Sequence, residues 1–379
     1  MIPLAKPRIP AGALGEIASI LDSGMLVEGA RSRAFAEAFA GYTRSRHAVL
    51  VNSGTSALYL SLRALGIGPG DAVLVPAYTF PATANSVAWA GADPIFVDVD
   101  PNTYNMDAAT VEERLEALKP ALRKRIKAVM PVQAFGNPVD IKPLIVLARK
   151  HGWKVIEDAA CALGSTLDGK ASGTHGDVGC YSFHPRKILT TGEGGAMVTA
   201  SAALAARLAL LKNHGMVPKK GRLAFLEPGL NLRFTEVAAA MGSAQLKVFD
   251  ETLKDRRKLA AAYAAGLRKL GIALQETATG GQTNWQAMVV RLPLKSEKQL
   301  DGIIAAMAKR GVQTNIGTYL VPREPAFQGH KGGGGFPAAE ALRQEGLALP
   351  LYEGLGEDGV ETVLKALAAC LPGRPIKTG

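Results

Sequence analysis

The chain has 379 residues, of which 47% are hydrophobic, and it carries a formal net charge of +11 at pH 7. This length allows two domains or one large α/β domain with an appendage, and the composition argues against global disorder. No apolar run approaches the roughly 20 residues that a membrane-spanning helix needs. Residues 1–8 lack the apolar segment of a signal peptide, so we expect a cytoplasmic protein.

The basic balance does not predict a nucleic-acid partner. Lysine and arginine are scattered along the chain, and aromatic residues make up only 6% of it, too few for a stacking platform. A solvated basic surface, or a positive potential that attracts an anionic small substrate, is the better interpretation. The three cysteines (Cys161, Cys180 and Cys370) and the six histidines show no metal-ligand spacing, so we expect no metal.

Residues 1–250 alternate short β-branched runs with helical patterns, which is typical of a mostly parallel sheet covered by helices. A helix is predicted over residues 107–118, where Asp107 can cap the first turn. The predicted strands are residues 47–52, 72–75, 94–98, 126–131, 153–158, 178–183 and 196–199.

The remainder of the chain predicts a smaller second domain. A helical region follows Thr235, and its charged continuation, residues 250–258, is interpreted as the connector. A strand is predicted near residues 284–292, and a helix that begins at Ser296 with a Ser-x-x-Gln capping box and stops at Gly311. A flexible loop at residues 332–335 and a helix over 356–371 complete it. We therefore predict domains at residues 1–248 and 249–379.

A strand-end acid and a lysine carry the chemical signal. Asp158 ends the predicted strand 153–158, and Lys187 lies in a turn that runs into Thr191-Gly192-Glu193-Gly194-Gly195. Alone, each would be read as a helix cap and a surface charge. Together they are what a pyridoxal-phosphate enzyme needs, because the acid keeps the pyridine nitrogen protonated and the amine holds the aldehyde as an imine.

Other residues supply what the rest of that cofactor requires. Ser53-Gly54-Thr55-Ser56 stands between a strand and a helix, where free N–H groups and the helix dipole favour a phosphate. Ser182 is a second hydroxyl that could reach the same phosphate. Phe80 follows another strand end and offers a flat face for a ring. The alternative interpretations are an ordinary N-cap, a solvent-facing strand residue and a core phenylalanine.

In these motifs the chain resembles the nucleotide-sugar aminotransferases of the DegT–DnrJ–StrS type, which are fold-type-I pyridoxal-phosphate enzymes. The matching motifs run almost from end to end: Ser53-Gly54-Thr55-Ser56-Ala57-Leu58, Thr79-Phe80-Pro81-Ala82-Thr83-Ala84-Asn85, Glu157-Asp158-Ala159-Ala160, Ser182-Phe183-His184-Pro185 with Lys187, Asn231-Leu232-Arg233 and Leu349-Pro350-Leu351-Tyr352.

The resemblance implies pyridoxal 5′-phosphate as the cofactor. It also implies an α/β fold of the aspartate-aminotransferase type (fold type I), a three-layer sandwich with a mostly parallel seven-stranded sheet and a smaller C-terminal α+β domain. The expected activity moves an amino group from an amino acid, with glutamate favoured, to a nucleotide-linked keto-sugar. A homodimer with shared active sites is expected, and no nucleic acid or membrane partner.

The resemblance also implies residue roles. Lys187 would form the Schiff base with the cofactor, Asp158 would pair with the pyridine nitrogen, and Phe80 would lie against the ring. The cofactor phosphate would be held by Gly54, Thr55 and Ser182, and by Asn231 reaching across from the neighbouring subunit. Lysine at 187 favours transamination, because a subset of the family has histidine there and dehydrates sugars.

One position departs from the family pattern. Cys161 stands where many members carry Gln or His near the phenolic oxygen of the cofactor, and a thiol is a weak donor. Candidate substrate-side residues, for each of which packing or a surface role is the alternative, are His184, Asn213, His214, Arg233 and Tyr319.

Two other functions stay open from the sequence. One is different pyridoxal-phosphate chemistry, such as elimination or desulfuration. Desulfuration needs a mobile cysteine in the second domain, for which Cys370 is poorly placed. The other is a non-catalytic regulatory protein that kept the fold, which the intact Lys187 and Asp158 argue against.

Overall fold

The computed structural model describes residues 1–329 and 334–371, and its centre is one seven-stranded sheet. All seven strands predicted from the sequence are confirmed, with ends that differ by no more than two residues. In chain order they are β1 (His47–Val51), β2 (Ala72–Pro76), β3 (Asp93–Val97), β4 (Ile126–Val129), β5 (Lys154–Asp158), β6 (Val178–Ser182) and β7 (Gly195–Thr199).

The sheet is mostly parallel, as predicted. Its strands lie in the order β1-β7-β6-β5-β4-β2-β3. The pairings from β3 through β2, β4 and β5 to β6 are parallel, whereas β7 is antiparallel to both β6 and β1. The carboxyl ends of the five parallel strands therefore meet at one edge, which is where open α/β sheets bind ligands.

Helices cover both faces of this sheet. The helices in the described residues are α1 (Gly12–Ser23), α2 (Ala30–Thr43), α3 (Gly54–Ala64), α4 (Ala82–Trp89), α5 (Ala108–Ala117), α6 (Pro120–Arg123), α7 (Ile141–His151), α8 (Ala202–Leu211), α9 (Glu236–Leu246), α10 (Phe249–Lys269), α11 (Glu297–Lys309), α12 (Pro337–Glu345) and α13 (Gly356–Ala368). Short 3-10 turns span Ala134–Gly136, Val321–Arg323 and Pro325–Phe327.

The alternation of side chains along the strands produces the three layers. In β2, Val73 and Val75 pack into a core that includes α3 and α4. Leu74, which points the other way, joins a core built with α5 and α7. At the other end of the sheet, Phe35 and Phe39 of α2 pack onto β1 and β7. Because successive side chains face opposite sides of a strand, fully apolar strands require helices on both faces.

A second core lies in the C-terminal part of the chain. It is built on an antiparallel sheet of β8 (Met288–Arg291), β9 (Asn315–Ile316) and β10 (Gly346–Leu349), in which β10 is central, together with α10, α11 and α13. The smaller strands elsewhere are Tyr78–Thr79 paired with Tyr319–Leu320, Thr166–Leu167 with Lys170–Ala171 and Gly281–Gln282, and the hairpin Met216–Lys219 and Arg222–Phe225.

The charged segment 250–258 is not a separate connector, because it lies within the 21-residue helix α10. Phe249 and Leu253 of this helix pack in the core beneath α2, whereas Leu259 and Tyr263 pack in the second core. One continuous helix thus joins the two cores. The domain boundary after residue 248 remains a proposal, which the change of core along α10 supports.

Two helix caps were predicted. The structure confirms the cap at Asp107, and at Ser296 it confirms the serine cap but not the reciprocal bond of the capping box. At α5, the Asp107 carboxylate accepts from Thr110 N at 2.8 Å and the Thr110 hydroxyl accepts from Asp107 N at 3.0 Å, a complete capping box. At α11, the Ser296 hydroxyl accepts from Gln299 N. The amide oxygen of Gln299, however, accepts from the preceding Lys295 N at 2.7 Å, so the predicted reciprocal bond is displaced by one residue.

The loop predicted at residues 332–335 begins outside the described residues. The predicted terminal helix is observed as α13, which ends at Ala368. Among the described residues, no helix combines the length and apolar character that crossing a membrane would require.

Candidate active site

A cleft of about 510 Å³ opens at the carboxyl edge of the parallel strands. One wall is the end of β5 and another is the first turn of α3. The turn that carries Lys187 forms the base. The segment 315–319 from the second core closes the remaining side. A volume of this size is typical of small-molecule sites.

The turn around Lys187 is fixed by two glutamine side chains from distant parts of the chain. Gln245 of α9 accepts from Thr190 N at 3.0 Å and donates to Thr190 O at 2.6 Å. Gln286 accepts from Ile188 N at 3.0 Å and donates to Arg186 O at 2.6 Å. The backbone on both sides of Lys187 is therefore held, although the turn has no regular secondary structure.

The structure brings Lys187 and Cys161 together. Lys187 Nζ donates to Cys161 Sγ at 3.0 Å. The backbone of Cys161 is held in turn by Asn284, whose side-chain amide donates to Cys161 O at 2.8 Å. Gln286 N donates to the Asn284 side-chain oxygen at 2.8 Å. One hydrogen-bonded chain thus runs from the cysteine loop to the backbone around the lysine.

Asp158 lies at the end of β5 with only 5% of its surface exposed. The Thr83 hydroxyl donates to its Oδ2 at 2.8 Å, and Ala160 N donates to its Oδ1 at 3.2 Å. Burial raises the pKa of Asp158, while these two hydrogen bonds and the positive charge of Lys187 oppose the rise. A cation placed against this carboxylate would complete its neutralisation.

The neighbouring Glu157 has a different environment. It is fully buried, and its carboxylate accepts from the backbone N–H groups of Gly173, His175 and Gly176 at 2.6–2.7 Å. The side chain of Gln133 donates to it as well. These donors point at Glu157 from the side of β5 away from Thr83, and Glu157 does not line the cleft. Its role is to fix the loop 173–176 to the sheet.

The first turn of α3 faces the cleft beside β6. Ser53 caps the helix, since its hydroxyl accepts from Ser56 N at 3.1 Å. A Cβ atom at Gly54 would lie 2.7 Å from the Cβ of Ser182, so only glycine allows the two segments to approach this closely. The hydroxyls of Thr55 and Ser182 and the first-turn N–H groups consequently border one space.

Phe80 and Tyr319 form the aromatic rim of the cleft. The ring of Phe80 is 63% exposed, and its edge-to-face contact with Tyr319 has a centroid separation of 5.9 Å. The strand Tyr319–Leu320 pairs with Tyr78–Thr79, immediately before Phe80, which brings the two aromatic residues together. A broad ring face thus remains open to the cleft.

The other predicted residues are divided between the cleft and its exterior. His184 lines the cleft, and its Nδ1 accepts from Arg186 N at 3.1 Å. Asn213, His214, Asn231 and Arg233 do not line it. Asn231 bridges to Asn213, and the Arg233 guanidinium donates to the Asn213 side chain at 2.9 Å. These four residues lie together elsewhere on this chain.

Several residues of the site were given no role from the sequence, among them Thr83, Gln286 and Glu193. Thr83 lies in the motif of residues 79–85, but its contact with Asp158 joins segments 75 residues apart. Gln286 lies in a segment predicted as strand, which in the structure precedes β8. Glu193 lines the cleft from the Gly-rich turn. No local pattern marks the contacts of Thr83 and Gln286, because each depends on how distant segments meet.

Known proteins similar to this chain include sugar aminotransferases. Residues 8–368 match the DegT/DnrJ/EryC1/StrS aminotransferase family. GDP-perosamine synthase of Caulobacter vibrioides is 38% identical over 369 residues, which cover 97% of each protein. UDP-N-acetyl-3-dehydro-alpha-D-glucosamine 3-aminotransferase of Acidithiobacillus ferrooxidans is 35% identical over 358 residues, which cover 94% of this chain and 93% of that protein.

Solved structures agree with the match to the aminotransferase family. Spr1654 of Streptococcus pneumoniae, in its PMP form, matches with a TM-score of 0.90 at 26% identity, over 98% of this chain and 99% of the other. PMP is the aminated form of pyridoxal phosphate. The likeness confirms the predicted fold of type I.

Proposed function

Because the chain belongs to the DegT/DnrJ/EryC1/StrS aminotransferase family, we propose that it moves the amino group of an amino acid, glutamate, to a keto-sugar attached to a nucleotide. Its cofactor is pyridoxal 5′-phosphate, as in the family. The observation that carries the proposal is the convergence of Lys187, Asp158 and the first turn of α3 on one cleft.

The residues of the cleft fit this cofactor. Glycine at position 54 lets the start of α3 lie close to Ser182, so the first-turn backbone N–H groups and the hydroxyls of Thr55 and Ser182 would together hold a phosphate. Asp158 is a buried carboxylate that requires a positive partner, which the protonated ring nitrogen would supply. The exposed face of Phe80 suits a flat ring.

When bound, pyridoxal phosphate supplies an aldehyde that takes up the amino group and a ring that accepts an electron pair. Lys187 Nζ would hold the cofactor at its aldehyde and would serve as the acid and base for the substrate's reacting carbon. Asp158 keeps the proton on the ring nitrogen, because its ionised form is stabilised by the Thr83 hydroxyl and the Ala160 N–H.

The contact with Cys161 supports a proton-carrying role for Lys187. A sulfur 3.0 Å from Nζ directs the amine toward the cleft. The side chain is weakly polar, so it leaves the amine free to turn toward a substrate. In this arrangement Cys161 orients Lys187, and it is not proposed as a nucleophile.

Nucleotide-sugar acceptors are proposed from the similar enzymes. The two curated relatives reported above act, by their names, in forming GDP-perosamine and on a UDP-linked 3-dehydro sugar. The cleft of about 510 Å³ can take a sugar together with the cofactor. The side of the cleft formed by residues 315–319 would face the acceptor.

The test is a screen of GDP-, UDP- and dTDP-linked keto-sugars with the purified enzyme, pyridoxal phosphate and glutamate, read by mass spectrometry. We expect one of them to gain an amino group. Lys187→Ala should retain the cofactor without turnover. Lys187→Arg keeps the charge but lacks a primary amine, so it should also be inactive. Normal transamination by either variant, or amination of no sugar by the wild type, would contradict the proposal.

The geometry does not favour desulfuration. Cys370 packs against the second core, and burial raises its pKa, which disfavours the reactive thiolate. It does not line the cleft. Release of sulfide and alanine from cysteine would reopen this alternative.

We also propose a homodimer in which Asn231 serves the partner's cofactor. Asn231 is exposed and outside the cleft of its own chain, and the segment before it exposes Leu223, Phe225, Leu226 and Leu230. Mixing Lys187→Ala with Asn231→Ala subunits tests this, because a mixed dimer would contain one intact site. Recovery of activity on mixing supports shared sites, and a monomer in light scattering would refute them.

A further inference from the structure

The charged side chains of the cleft include two that the proposed function does not use, Arg186 and Glu193. Among the described residues that line it, the lysines and arginines are Arg186 and Lys187, and the acids are Asp158 and Glu193. Lys187 and Asp158 are assigned to the cofactor. Arg186 therefore brings to the cleft a permanent positive charge without a role.

The position of Arg186 is fixed through its backbone. Arg186 N donates to His184 Nδ1 at 3.1 Å, and Arg186 O accepts from Gln286 Nε2 at 2.6 Å. The next residue is anchored too, since Lys187 N donates to His184 O at 2.8 Å. The Cα of Arg186 thus keeps a constant relation to Lys187, which a binding group needs if it is to orient a substrate.

The guanidinium itself is not engaged. Within residues 1–329 and 334–371, no side chain or carbonyl hydrogen-bonds to it, and it is not part of an ion pair. Two other arginines close to this turn are occupied, because Arg8 pairs with Glu353 and Arg256 donates to Trp285 O at 2.6 Å. These two belong to the smaller cavity next to the cleft. Arg186 borders both spaces.

His184 does not compete for an anion. Its Nδ1 accepts a hydrogen bond from Arg186 N, so that nitrogen carries no proton. Burial lowers the pKa of His184, and the charges of Lys187 and Arg186 add to this effect against that of Glu193. The imidazole is therefore neutral, and the positive charges at this end of the cleft are those of Lys187 and the Arg186 guanidinium.

We infer that Arg186 binds the carboxylate of the amino donor. A planar guanidinium matches a carboxylate with two parallel hydrogen bonds. Arg186 adjoins Lys187 in the chain, and in the donor the α-carboxylate is attached to the carbon that reacts. The diphosphate of a nucleotide-sugar is separated from the reacting carbon by the sugar ring, so it fits this position less well. The inference rests on the proposed function, whose donor step it specifies.

Calorimetric titration of the cofactor-loaded enzyme tests it. Glutarate is the probe for the donor, because it has the two carboxylates of glutamate without the amine and cannot react. GDP and UDP are the probes for the acceptor. We expect Arg186→Gln to weaken glutarate binding roughly tenfold to hundredfold, the worth of hydrogen bonds to a charged group. Arg186→Lys should recover part of the loss.

Arg149→Gln is the matched control, because it removes one exposed positive charge from α7, outside both cavities. It should leave glutarate and nucleotide binding unchanged. Rapid mixing separates the two half-reactions. In the first, Arg186→Gln should raise the glutamate concentration at which the cofactor absorbance is lost at half its maximal rate. In the second, the rate of the return step with keto-sugar should stay within about threefold of the wild-type rate.

Three results would overturn the inference: no glutarate binding by the wild type, equal binding by Arg186→Gln, or a loss confined to GDP and UDP, which would assign the guanidinium to the diphosphate. None of these depends on which sugar is aminated. If no sugar is aminated but glutarate binding still requires Arg186, the acceptor of the proposed function is refuted and the inference about Arg186 stands.

Discussion

Asp158→Asn should make the cofactor-free protein more stable and the cofactor-bound protein less stable. Burial raises the pKa of Asp158 above the ordinary aspartate value of 3.8 in spite of the Thr83 and Ala160 hydrogen bonds. The ionised carboxylate therefore lowers the free energy of unfolding without the cofactor. Asparagine can keep the contacts, because the Thr83 hydroxyl can turn to donate to Thr79 Oγ1 at 3.1 Å and accept from the new amide.

The size of the two effects follows from the burial. Replacing a buried, incompletely compensated charge by a neutral amide should raise the free energy of unfolding by about 1–2 kcal/mol. Loss of the ion pair with the ring nitrogen should weaken cofactor binding by about 3–5 kcal/mol, as for one partner of a buried pair. With the cofactor in excess, Asp158→Asn should then be about 1–4 kcal/mol less stable than wild type.

The pH dependence has a definite sign. A carboxyl group whose pKa is raised by folding destabilises the folded state only above its unfolded pKa, and fully above its folded pKa. The advantage of Asp158→Asn in the cofactor-free protein should accordingly be largest at neutral pH and vanish as the pH falls toward 3.8. Thermal unfolding with and without pyridoxal phosphate at several pH values measures both effects.

Glu157→Gln is the matched control, because it neutralises the adjacent buried carboxylate. Glutamine would lose charge-assisted bonds from three backbone N–H groups. We expect about 1.5–3 kcal/mol or more of destabilisation, equal with and without the cofactor. An Asp158→Asn protein that is destabilised without the cofactor, or that gains as much stability from it as wild type, would refute the reasoning about Asp158.

Two further predictions concern the cleft. Gly54→Ala should weaken cofactor binding, since the new Cβ would lie 2.7 Å from that of Ser182. Its control, Gly302→Ala, lies in open space on α11 and should raise the free energy of unfolding by about 0.5–1 kcal/mol. Cofactor titration and thermal unfolding measure both variants. Bound cofactor should slow iodoacetamide alkylation of Cys161 but not of Cys370, measured by peptide mass spectrometry; equal slowing of both would contradict the location of Cys161 beside Lys187.

The main sheet could be predicted from the sequence because its strands are short, apolar and punctuated. Every residue of β2 is buried, so its continuous apolar run predicts a strand without knowledge of the neighbouring strands. The hairpin Met216–Lys219 and Arg222–Phe225 went unpredicted, because its residues are half-buried or exposed and show no clean alternation. The two-residue strands Tyr78–Thr79 and Tyr319–Leu320 exist only through their pairing across the chain.

The site was predictable where one residue type carries the chemistry. Asp158 and Gly54 stand at element ends and Lys187 in a turn before a Gly-rich run, and the structure brings the three residues to one cleft. The supporting residues could not be predicted in the same way. A glutamine such as Gln245 or Gln286 has many possible partners, and only the fold determines that both hold the backbone around Lys187.

The adjacent acids at the end of β5 show how the fold divides identical chemistry into different roles. The strand alternation points Glu157 and Asp158 to opposite sides. On one side, backbone N–H groups from residues 173–176 surround Glu157 and satisfy its charge within the protein. On the other side, Asp158 meets a hydroxyl and a single N–H, so its charge is left incompletely compensated beside a cleft. Under the proposed function, this deficit at Asp158 would select a cationic ring, and a second backbone donor there would remove the need for one.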